Sequence, residues 1–249
     1  MEKNINFYNA IIETVKQCGE LLKSADADKS TTVKTDGSLV TKYDLLIDSK
    51  LTSELKSMYN IPLFSEEHKE EYSDTYFVID PIDGTHNFNS GLEYFGIMVA
   101  YVEHSVTIFS VIHLPLLNKT YTAYKGKGAY LNGEKIHVRK STNRLLGVTN
   151  ISQNLALKNI QKLIQNDEYI FEFRTFYCAC VPMPYIASGN LDFNIYSGPC
   201  GLWDIIIPAL VLEEAGGYVE YKEYEKNKFE IISGTKEACS IIKKILEKD

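Results

Sequence analysis

Two aspartates stand three positions apart in the segment YFVIDPIDGTHNF (76–88), directly after a run of strand-forming residues. Asp80 is predicted to end that strand, Pro81 fixes its own φ and keeps the preceding residue extended, and Gly84 permits a tight turn. Two fixed carboxylates about 4 Å apart repel by roughly 4 kcal/mol at an effective dielectric of about 20. Asp80 and Asp83 therefore stay ionised together only if a cation lies between them. Oxygen ligands favour a hard ion such as Mg²⁺ or Mn²⁺.

Three other stretches could supply carboxylates to the same site. Glu66 and Glu67 follow a short apolar run in FSEEH, Asp204 leads WDIIIPALVLEEAGG, and Asp44 lies in VTKYDLLID. Each also has an ordinary structural explanation. Glu66 and Glu67 could be a solvated loop pair, Asp204 a helix N-cap, and Asp44 a first-turn acid that interacts favourably with the helix dipole. Asp-Pro-x-Asp-Gly is itself common turn chemistry, and Thr85 suits the N-cap of a following helical turn. Their occurrence in one chain favours a metal site more than any of them does alone.

Composition limits the classes of protein to consider. The chain of 249 residues has a net charge of −7 and a sequence pI near 5.4, without the basic face that binds nucleic acid. The most apolar run, IIIPALVL (205–212), is too short to span a bilayer, and the N-terminus does not match a signal peptide. The five cysteines include no C-x-x-C pair, which argues against a disulfide framework and favours a reducing, cytoplasmic location.

The pattern of apolar residues predicts an α/β protein. Helices are predicted over 7–24 and about 43–59, and strands and hairpins over 76–138. Strands and helices then alternate, which favours helices layered on sheets. The change of pattern at 139–144 suggests one domain, 1–249, with two halves of about 1–140 and 141–249.

These motifs resemble the inositol monophosphatase family of metal-dependent phosphatases over nearly the whole chain. IDPIDGTHNF is similar to the family's D-P-[IL]-D-G-T followed by N-F, and WDIIIPALVLEEAGG to its W-D, apolar helix and E-A-G-G. SEEH, LVTKYD and KGKGAYLNG match the family's Glu-Glu loop, its L-V-T-x-x-D stretch and a hairpin. The resemblance implies a layered αβαβα sandwich of the inositol monophosphatase and fructose-1,6-bisphosphatase type, assembled as a homodimer.

The resemblance also implies a metal-ligand set. Two or three Mg²⁺ ions, or Mn²⁺ in their place, would be held by four side chains and one backbone carbonyl oxygen. The side chains are those of Glu66, Asp80, Asp83 and Asp204, and the carbonyl is that of Ile82.

Residues that contact the substrate follow from the same resemblance. The backbone N–H groups of Gly84 and Thr85 would hold the phosphate, and Thr85, with Glu66 and Asp44, would orient the attacking water. The substrate-binding set comprises Gly84, Thr85, Cys178, Ala179, Ser197 and Asp204.

The predicted pocket departs from the family pattern at several positions. Tyr177 replaces a glycine, Cys178 a serine or threonine, and Cys180 an alanine. Ser197 stands where inositol-cleaving members carry a glutamate that holds the sugar hydroxyls. These changes point away from tight myo-inositol recognition, because a site that loses a hydrogen-bonding partner discriminates less well. Cys178 and Cys180 are predicted to be small pocket-lining or buried residues rather than a redox pair.

The leading functional hypothesis is a Mg²⁺-dependent phosphatase that hydrolyses a small phosphate monoester by two-metal activation of water. Fructose 1,6-bisphosphate, 3′-phosphoadenosine 5′-phosphate and histidinol phosphate remain alternative substrates. A non-catalytic sensor of a phosphorylated ligand is the rival of a different class, and an interaction protein ranks last. A degenerate sensor would have lost a ligand or the threonine, whereas Glu66, Asp80, Asp83, Thr85 and Asp204 are all present.

Overall fold

A computed structural model describes residues 5–25, 31–33, 39–68, 73–151 and 154–247. Its helices are α1 (Ile5–Lys23), α2 (Lys42–Tyr59), α3 (Thr85–Asn89), α4 (Asn154–Ile164), α5 (Pro182–Ala187), α6 (Trp203–Glu214) and α7 (Lys236–Leu246). Its strands are β1 (Thr31–Val33), β2 (Leu39–Thr41), β3 (Leu63–Ser65), β4 (Thr75–Asp83), β5 (Gly96–Glu103), β6 (Val106–Leu114), β7 (Lys119–Tyr124), β8 (Gly128–Leu131), β9 (Glu134–Ile136), β10 (Arg144–Thr149), β11 (Ile170–Arg174), β12 (Phe193–Pro199), β13 (Tyr218–Glu225) and β14 (Lys228–Gly234).

The larger sheet has the strand order β3-β4-β5-β6-β7-β8-β9 and forms the second layer of the protein. Strands β3 and β4 are parallel, and the remaining neighbours are antiparallel hairpin partners. Helices α1 and α2 cover one face of this sheet. Ile11 and Val15 of α1 and Leu51 of α2 pack there against Phe77 and Val99. This burial of apolar side chains is the main force that holds the first two layers together.

The smaller sheet has the order β11-β10-β12-β14-β13, and β10 runs parallel to both of its neighbours. Helices α5 and α6 lie between the two sheets, where Ile207 and Val211 of α6 share a core with Met98 of the larger sheet and Ile231 of the smaller one. Helices α4 and α7 cover the outer face of the smaller sheet. The predicted layered αβαβα sandwich is therefore confirmed.

Helix α2 shows how local sequence sets the position of a site residue. Thr41 accepts hydrogen bonds from the N–H groups of Tyr43 and Asp44, and the Asp44 carboxylate accepts one from the Thr41 N–H in return. This capping box satisfies N–H groups that have no partner inside the helix. The helix ends at Asn60, whose φ of 42° lies in the left-handed region. Asp44 is thereby fixed at the start of α2, as the sequence predicts.

The larger sheet ends at Ile136 and the smaller one begins at Arg144. Helix α6 of the second half packs on strands of the first half. The single domain with halves of about 1–140 and 141–249 stays a prediction. Among the helices that the structure describes, none combines the length and the apolar character that a membrane crossing requires.

Candidate active site

The two aspartates of β4 are brought to the same side of the strand by a bulge. The register places Asp80 opposite Met98 and Asp83 opposite Gly96, so β4 has one more residue than β5 between these pairs. Residues three apart in a regular strand point to opposite faces, and one extra residue reverses that alternation. Pro81 is tolerated here because a bulge leaves an N–H group without a ladder partner. The prediction that the strand ends at Asp80 is wrong, since β4 continues to Asp83.

Carboxylates from three elements meet at this bulge. One ligand oxygen from each of Asp80, Asp83 and Asp204 lies within 4.8 Å of the others. Asp204 enters from the first turn of α6, where its carboxylate also accepts a hydrogen bond of 2.8 Å from the Gly201 N–H. Glu66 directly follows β3, whose parallel register with β4 pairs Ser65 with Ile79 and so brings Glu66 beside Asp80.

The electrostatics of this cluster favour a bound cation. Burial, reinforced by the negative charges of Glu66, Asp83, Asp204 and Asp44, holds the pKa of Asp80 well above its usual range. Burial and the neighbouring acids raise the pKa of Asp204 in the same direction. The buried Oδ1 of Asp80 accepts no hydrogen bond from the described residues. Such an oxygen needs a partner, and a hard divalent cation would provide one while allowing the acids to ionise.

Thr85 and Asp44 form a hydrogen-bonded pair beside the carboxylates. The Thr85 hydroxyl lies 3.1 Å from Asp44 Oδ1 and 2.9 Å from the carbonyl oxygen of Ile82, so its proton is donated to one or the other. Burial raises the pKa of Asp44, although hydrogen bonds from Thr41 and Thr85 oppose this effect. Thr85 is the first residue of α3 and Gly84 is its N-cap, so the prediction of Thr85 as an N-cap is wrong.

Gly84 is required by its backbone and its surroundings. Its φ of 82° lies in the left-handed region, and a Cβ there would lie 2.9 Å from the Tyr94 carbonyl oxygen and 3.1 Å from Cys178 Cβ. The turn after β4 therefore packs directly against the loop that follows β11. This contact joins the turn that carries Asp83 and Gly84 to the loop of Cys178 and Ala179, which is predicted to bind substrate.

The loop after β11 holds the Asp83 carboxylate. The Ala179 N–H lies 3.0 and 2.9 Å from the two Asp83 oxygens, and the Cys180 N–H donates to Oδ2 at 2.7 Å. Cys178 and Cys180 do not lie in a strand, and their sulfur atoms lie within 4.8 Å of each other. Burial raises the pKa of both thiols.

A cavity of about 280 Å³ opens beside the cluster and is lined by Asp83, Asp204, Cys178 and Ala179 among others. It lies at the carboxyl ends of the parallel strands β10, β11 and β12, which contribute Asn150, Phe176 and Cys200 from the residues that follow them. Ligands of layered α/β proteins commonly bind at that edge of a sheet. The cavity therefore joins the carboxylate cluster to a space suited to a small molecule.

Ser197 does not line this cavity. Its side chain is fully buried, whereas Asn194 and Tyr196 of the same strand line the cavity. Side chains alternate along β12, so Ser197 points away from the face that carries Tyr196. The Asn150 side chain donates to the Ser197 carbonyl oxygen at 2.7 Å and accepts from its N–H at 3.1 Å. Sequence reasoning missed Asn150 and Phe176, for which a position just beyond the carboxyl end of a strand was the available signal. It also missed Tyr196, which lies in the middle of β12.

Comparison with known proteins identifies the family. The model of the inositol monophosphatase family matches residues 3–242. A fructose-1,6-bisphosphatase/inositol-1-monophosphatase of Thermotoga maritima is 31% identical over 227 residues, covering 88% of this chain and 86% of that protein. A 3′(2′),5′-bisphosphate nucleotidase CysQ of Aggregatibacter actinomycetemcomitans is 29% identical over 229 residues, covering 86% and 84%. A solved IMPase structure from Thermotoga maritima superposes with a TM-score of 0.85 at 27% identity, covering 98% of this chain and 99% of that one. The chain therefore belongs to the inositol monophosphatase family.

Proposed function

We propose that this protein is a Mg²⁺-dependent phosphatase that hydrolyses a small molecule carrying a single phosphate monoester. Phosphatases of its family are phosphoric monoester hydrolases, and magnesium dependence is a family property. The observation that carries the proposal is the cluster of Asp80, Asp83 and Asp204 at the cavity, with the Thr85–Asp44 pair beside it. This arrangement supports hydrolysis by water, without a nucleophilic side chain.

The acids and Ile82 have the chemistry to hold the metal. In this proposal Glu66, Asp80, Asp83 and Asp204 supply carboxylate ligands and Ile82 its carbonyl oxygen. Bound magnesium would activate water and stabilise the charge that develops on the leaving oxygen. The Ile82 carbonyl oxygen lies 2.9 Å from the Thr85 hydroxyl and has two lone pairs, so one stays available to a metal ion whichever acceptor the hydroxyl proton takes. The loop N–H groups on Asp83 fix the orientation of its carboxylate before the ion arrives.

Thr85 and Asp44 are proposed to orient the attacking water. With its own proton directed to Asp44 Oδ1, the Thr85 hydroxyl presents its lone pairs to a water molecule. Asp44 is held in turn by Thr41, so the direction of this hydrogen bond is set in advance. The N–H groups of Gly84 and Thr85 would bind the phosphate. Such preorganisation of donors and acceptors is a main source of catalysis.

The cavity lining favours one phosphate group over two. No lysine or arginine occurs among the described residues that line it. A second phosphate would therefore enter the cavity without a cationic side chain beside it, which is an unfavourable way to bind a dianion. The lining includes the rings of Phe176, Tyr177 and Tyr196, on which a flat or apolar part of a substrate could pack. These features support a monophosphate ahead of fructose 1,6-bisphosphate or 3′-phosphoadenosine 5′-phosphate.

A phosphate-release assay tests both parts of this proposal. The panel contains inositol 1-phosphate, histidinol phosphate and a nucleoside monophosphate, together with fructose 1,6-bisphosphate and 3′-phosphoadenosine 5′-phosphate, each with Mg²⁺ and with excess chelator. We expect Mg²⁺-dependent release and a higher kcat/KM for a monophosphate. Full activity after exhaustive chelation would contradict the metal mechanism. A higher kcat/KM for either bisphosphate would contradict the argument from the cavity lining.

A homodimer and a cytoplasmic location also belong to this proposal. The location is supported by five cysteines that are all free, and the homodimer by the family resemblance. Light scattering on the purified protein gives the mass of the assembly, and a monomer at micromolar concentration would contradict the dimer. Fractionation of the source cells tests the location, and recovery outside the cytoplasm would contradict it. Neither nucleic acid nor a membrane is proposed as a partner.

A further inference from the structure

Two thiols lie beside the carboxylate cluster. One oxygen of Asp83 and the sulfur atoms of Cys178 and Cys180 all lie within 4.8 Å of one another. Cys180 is fully buried, and Cys178 lines the cavity together with Asp83. Thiolate sulfur is the ligand that selects zinc-like ions, whereas magnesium is bound by oxygen. Oxygen and sulfur ligands therefore lie side by side here. Asp83 belongs both to the carboxylate cluster and to the cluster with the two thiols.

The three groups are held in place by the backbone around them. The Cys180 N–H and the Ala179 N–H donate to the Asp83 carboxylate at 2.7 and 2.9 Å, so the loop that carries the thiols also orients the acid. Tyr177, directly before Cys178, has a φ of 53° and turns the chain there. Since Gly84 leaves room for Cys178 Cβ, the loop can approach the end of β4 this closely.

We propose that Asp83, Cys178 and Cys180 form a binding site for one thiophilic divalent cation of the zinc class. Two sulfurs bound to a tetrahedral zinc ion at about 2.3 Å lie roughly 3.8 Å apart, so a small contraction of the observed cluster suffices. Three protein ligands would leave a fourth position for water or a substrate atom. Two of the three, Asp83 and Cys178, line the cavity. The ion would displace the thiol protons, which requires high affinity for sulfur.

This site would compete with magnesium. Asp83 belongs to the cluster with Asp80 and Asp204 as well as to the cluster with the thiols. An ion held by the thiols would draw the Asp83 carboxylate away from the other two acids. The resulting inhibition of catalysis rests on the proposed function, whereas the binding itself does not. Zinc-class ions would then act as inhibitors that a thiol chelator reverses.

Titration of the metal-free protein with Cd²⁺ tests the binding directly. Cd²⁺ bound by thiolates gives ultraviolet charge-transfer absorption, which Mg²⁺ does not, and the signal needs no substrate. We expect one Cd²⁺ per chain, displacement by Zn²⁺, and weaker binding in the presence of excess Mg²⁺. Cys178→Ala and Cys180→Ala should each weaken Cd²⁺ binding by about tenfold or more. Cys200→Ala is the matched control, because Cys200 lines the same cavity but lies outside the cluster.

Two outcomes would overturn the proposal. One is charge-transfer absorption that survives in both Cys178→Ala and Cys180→Ala, and the other is its loss in Cys200→Ala alone. If the Cys180→Ala chain does not fold, alkylation of the unaltered protein decides the question. Zn²⁺ should slow the modification of Cys178 and leave that of Cys200 unchanged, and equal rates at Cys178 with and without Zn²⁺ would contradict the site. Because these readouts are independent of turnover, an inactive phosphatase would not affect them.

Discussion

Asp80 and Asp83 lie three positions apart in β4, and a one-residue bulge between them brings their carboxylates to the same face of the sheet. In a regular strand Asp83 would point toward α1 and α2 instead. The bulge therefore aims both acids toward Asp204 of α6. The Pro81 that makes the motif recognisable in the sequence occupies the bulge itself. The relation between these two residues is the geometric basis of the candidate metal site.

Replacement of Asp80 by asparagine is expected to abolish turnover and to remove stabilisation by Mg²⁺. At a Mg²⁺ concentration of 100 times Kd, the unaltered protein should gain about 2.7 kcal/mol in the free energy of unfolding. Without metal, Asp80→Asn should be more stable than the unaltered protein by roughly 1–2 kcal/mol near neutral pH. The neutral amide avoids both the repulsion of about 4 kcal/mol between two ionised carboxylates and the proton uptake that would relieve it. Thermal unfolding with Mg²⁺ and with chelator measures both effects. If Mg²⁺ does not raise the Tm of the unaltered protein, the assignment of Asp80 as a metal ligand is contradicted.

Thr85→Ala is expected to lower kcat by about 10²–10⁴-fold, because the water would lose the group that orients it. Thr85→Ser is the matched control, since it keeps a hydroxyl within reach of Asp44, and it should retain most of the activity. Mg²⁺ should stabilise both variants as it does the unaltered protein, because the Thr85 side chain is not a proposed metal ligand. Steady-state kinetics and unfolding with Mg²⁺ test this. Equal activity of Thr85→Ala and Thr85→Ser would refute the role of the hydroxyl.

Tyr177→Gly is expected to stabilise the protein by about 0.5–1 kcal/mol. Tyr177 has a φ of 53° and a side chain that is 62% exposed, so it bears backbone strain and buries little apolar surface. A left-handed conformation costs roughly 1–2 kcal/mol for a residue with a side chain, and the greater freedom of glycine in the unfolded chain offsets part of the gain. Tyr177→Ala keeps the strain and should not stabilise. Urea unfolding of both variants provides the comparison, and a destabilised Tyr177→Gly chain would show that the ring contributes more than the strain costs.

His113 is expected to make stability depend on pH in the acid range. Burial lowers the pKa of His113 from 6.5 to about 4, and the nearby charges of Lys23 and Lys16 add to the effect. The unfolded chain therefore binds the proton more readily, so stability is lost as pH falls from about 6.5 toward 4 and changes little further below that. The loss attributable to this group reaches at most about 3 kcal/mol.

The pH profile of His113→Asn tests this assignment. Unfolding is measured from pH 7 to 4 in the unaltered protein and in the variant, both at saturating Mg²⁺ so that the metal-site acids contribute equally. The variant should have a shallower slope over this interval. His113 packs against Gly19 of α1, where a Cβ would lie 2.5 Å from Nε2, and Nδ1 lies 2.9 Å from the Thr120 hydroxyl. Equal slopes would show that other groups carry the pH dependence.

Local patterns predicted the elements that depend on near neighbours along the chain. The Thr41–Asp44 capping box and the apolar periodicity after it are enough to begin α2 within one residue of the predicted start. Alternation of strands and helices in the second half implied the layered packing. The family resemblance predicted that the acids at positions 66, 80, 83 and 204 are metal ligands. The structure brings these acids close to one another.

Only the tertiary structure decided which way particular side chains point. The bulge that aligns Asp80 with Asp83 depends on the register with β5, and the chain between 76 and 88 alone does not specify that register. Cys178 and Cys180 come together because their loop turns at Tyr177 and bonds to Asp83, about 95 positions earlier in the chain. Ser197 faces away from the cavity, while Tyr196 faces it. A one-residue change of register reverses every side chain in a strand, so long-range pairing, rather than the identity of the residue, determines the lining of the pocket.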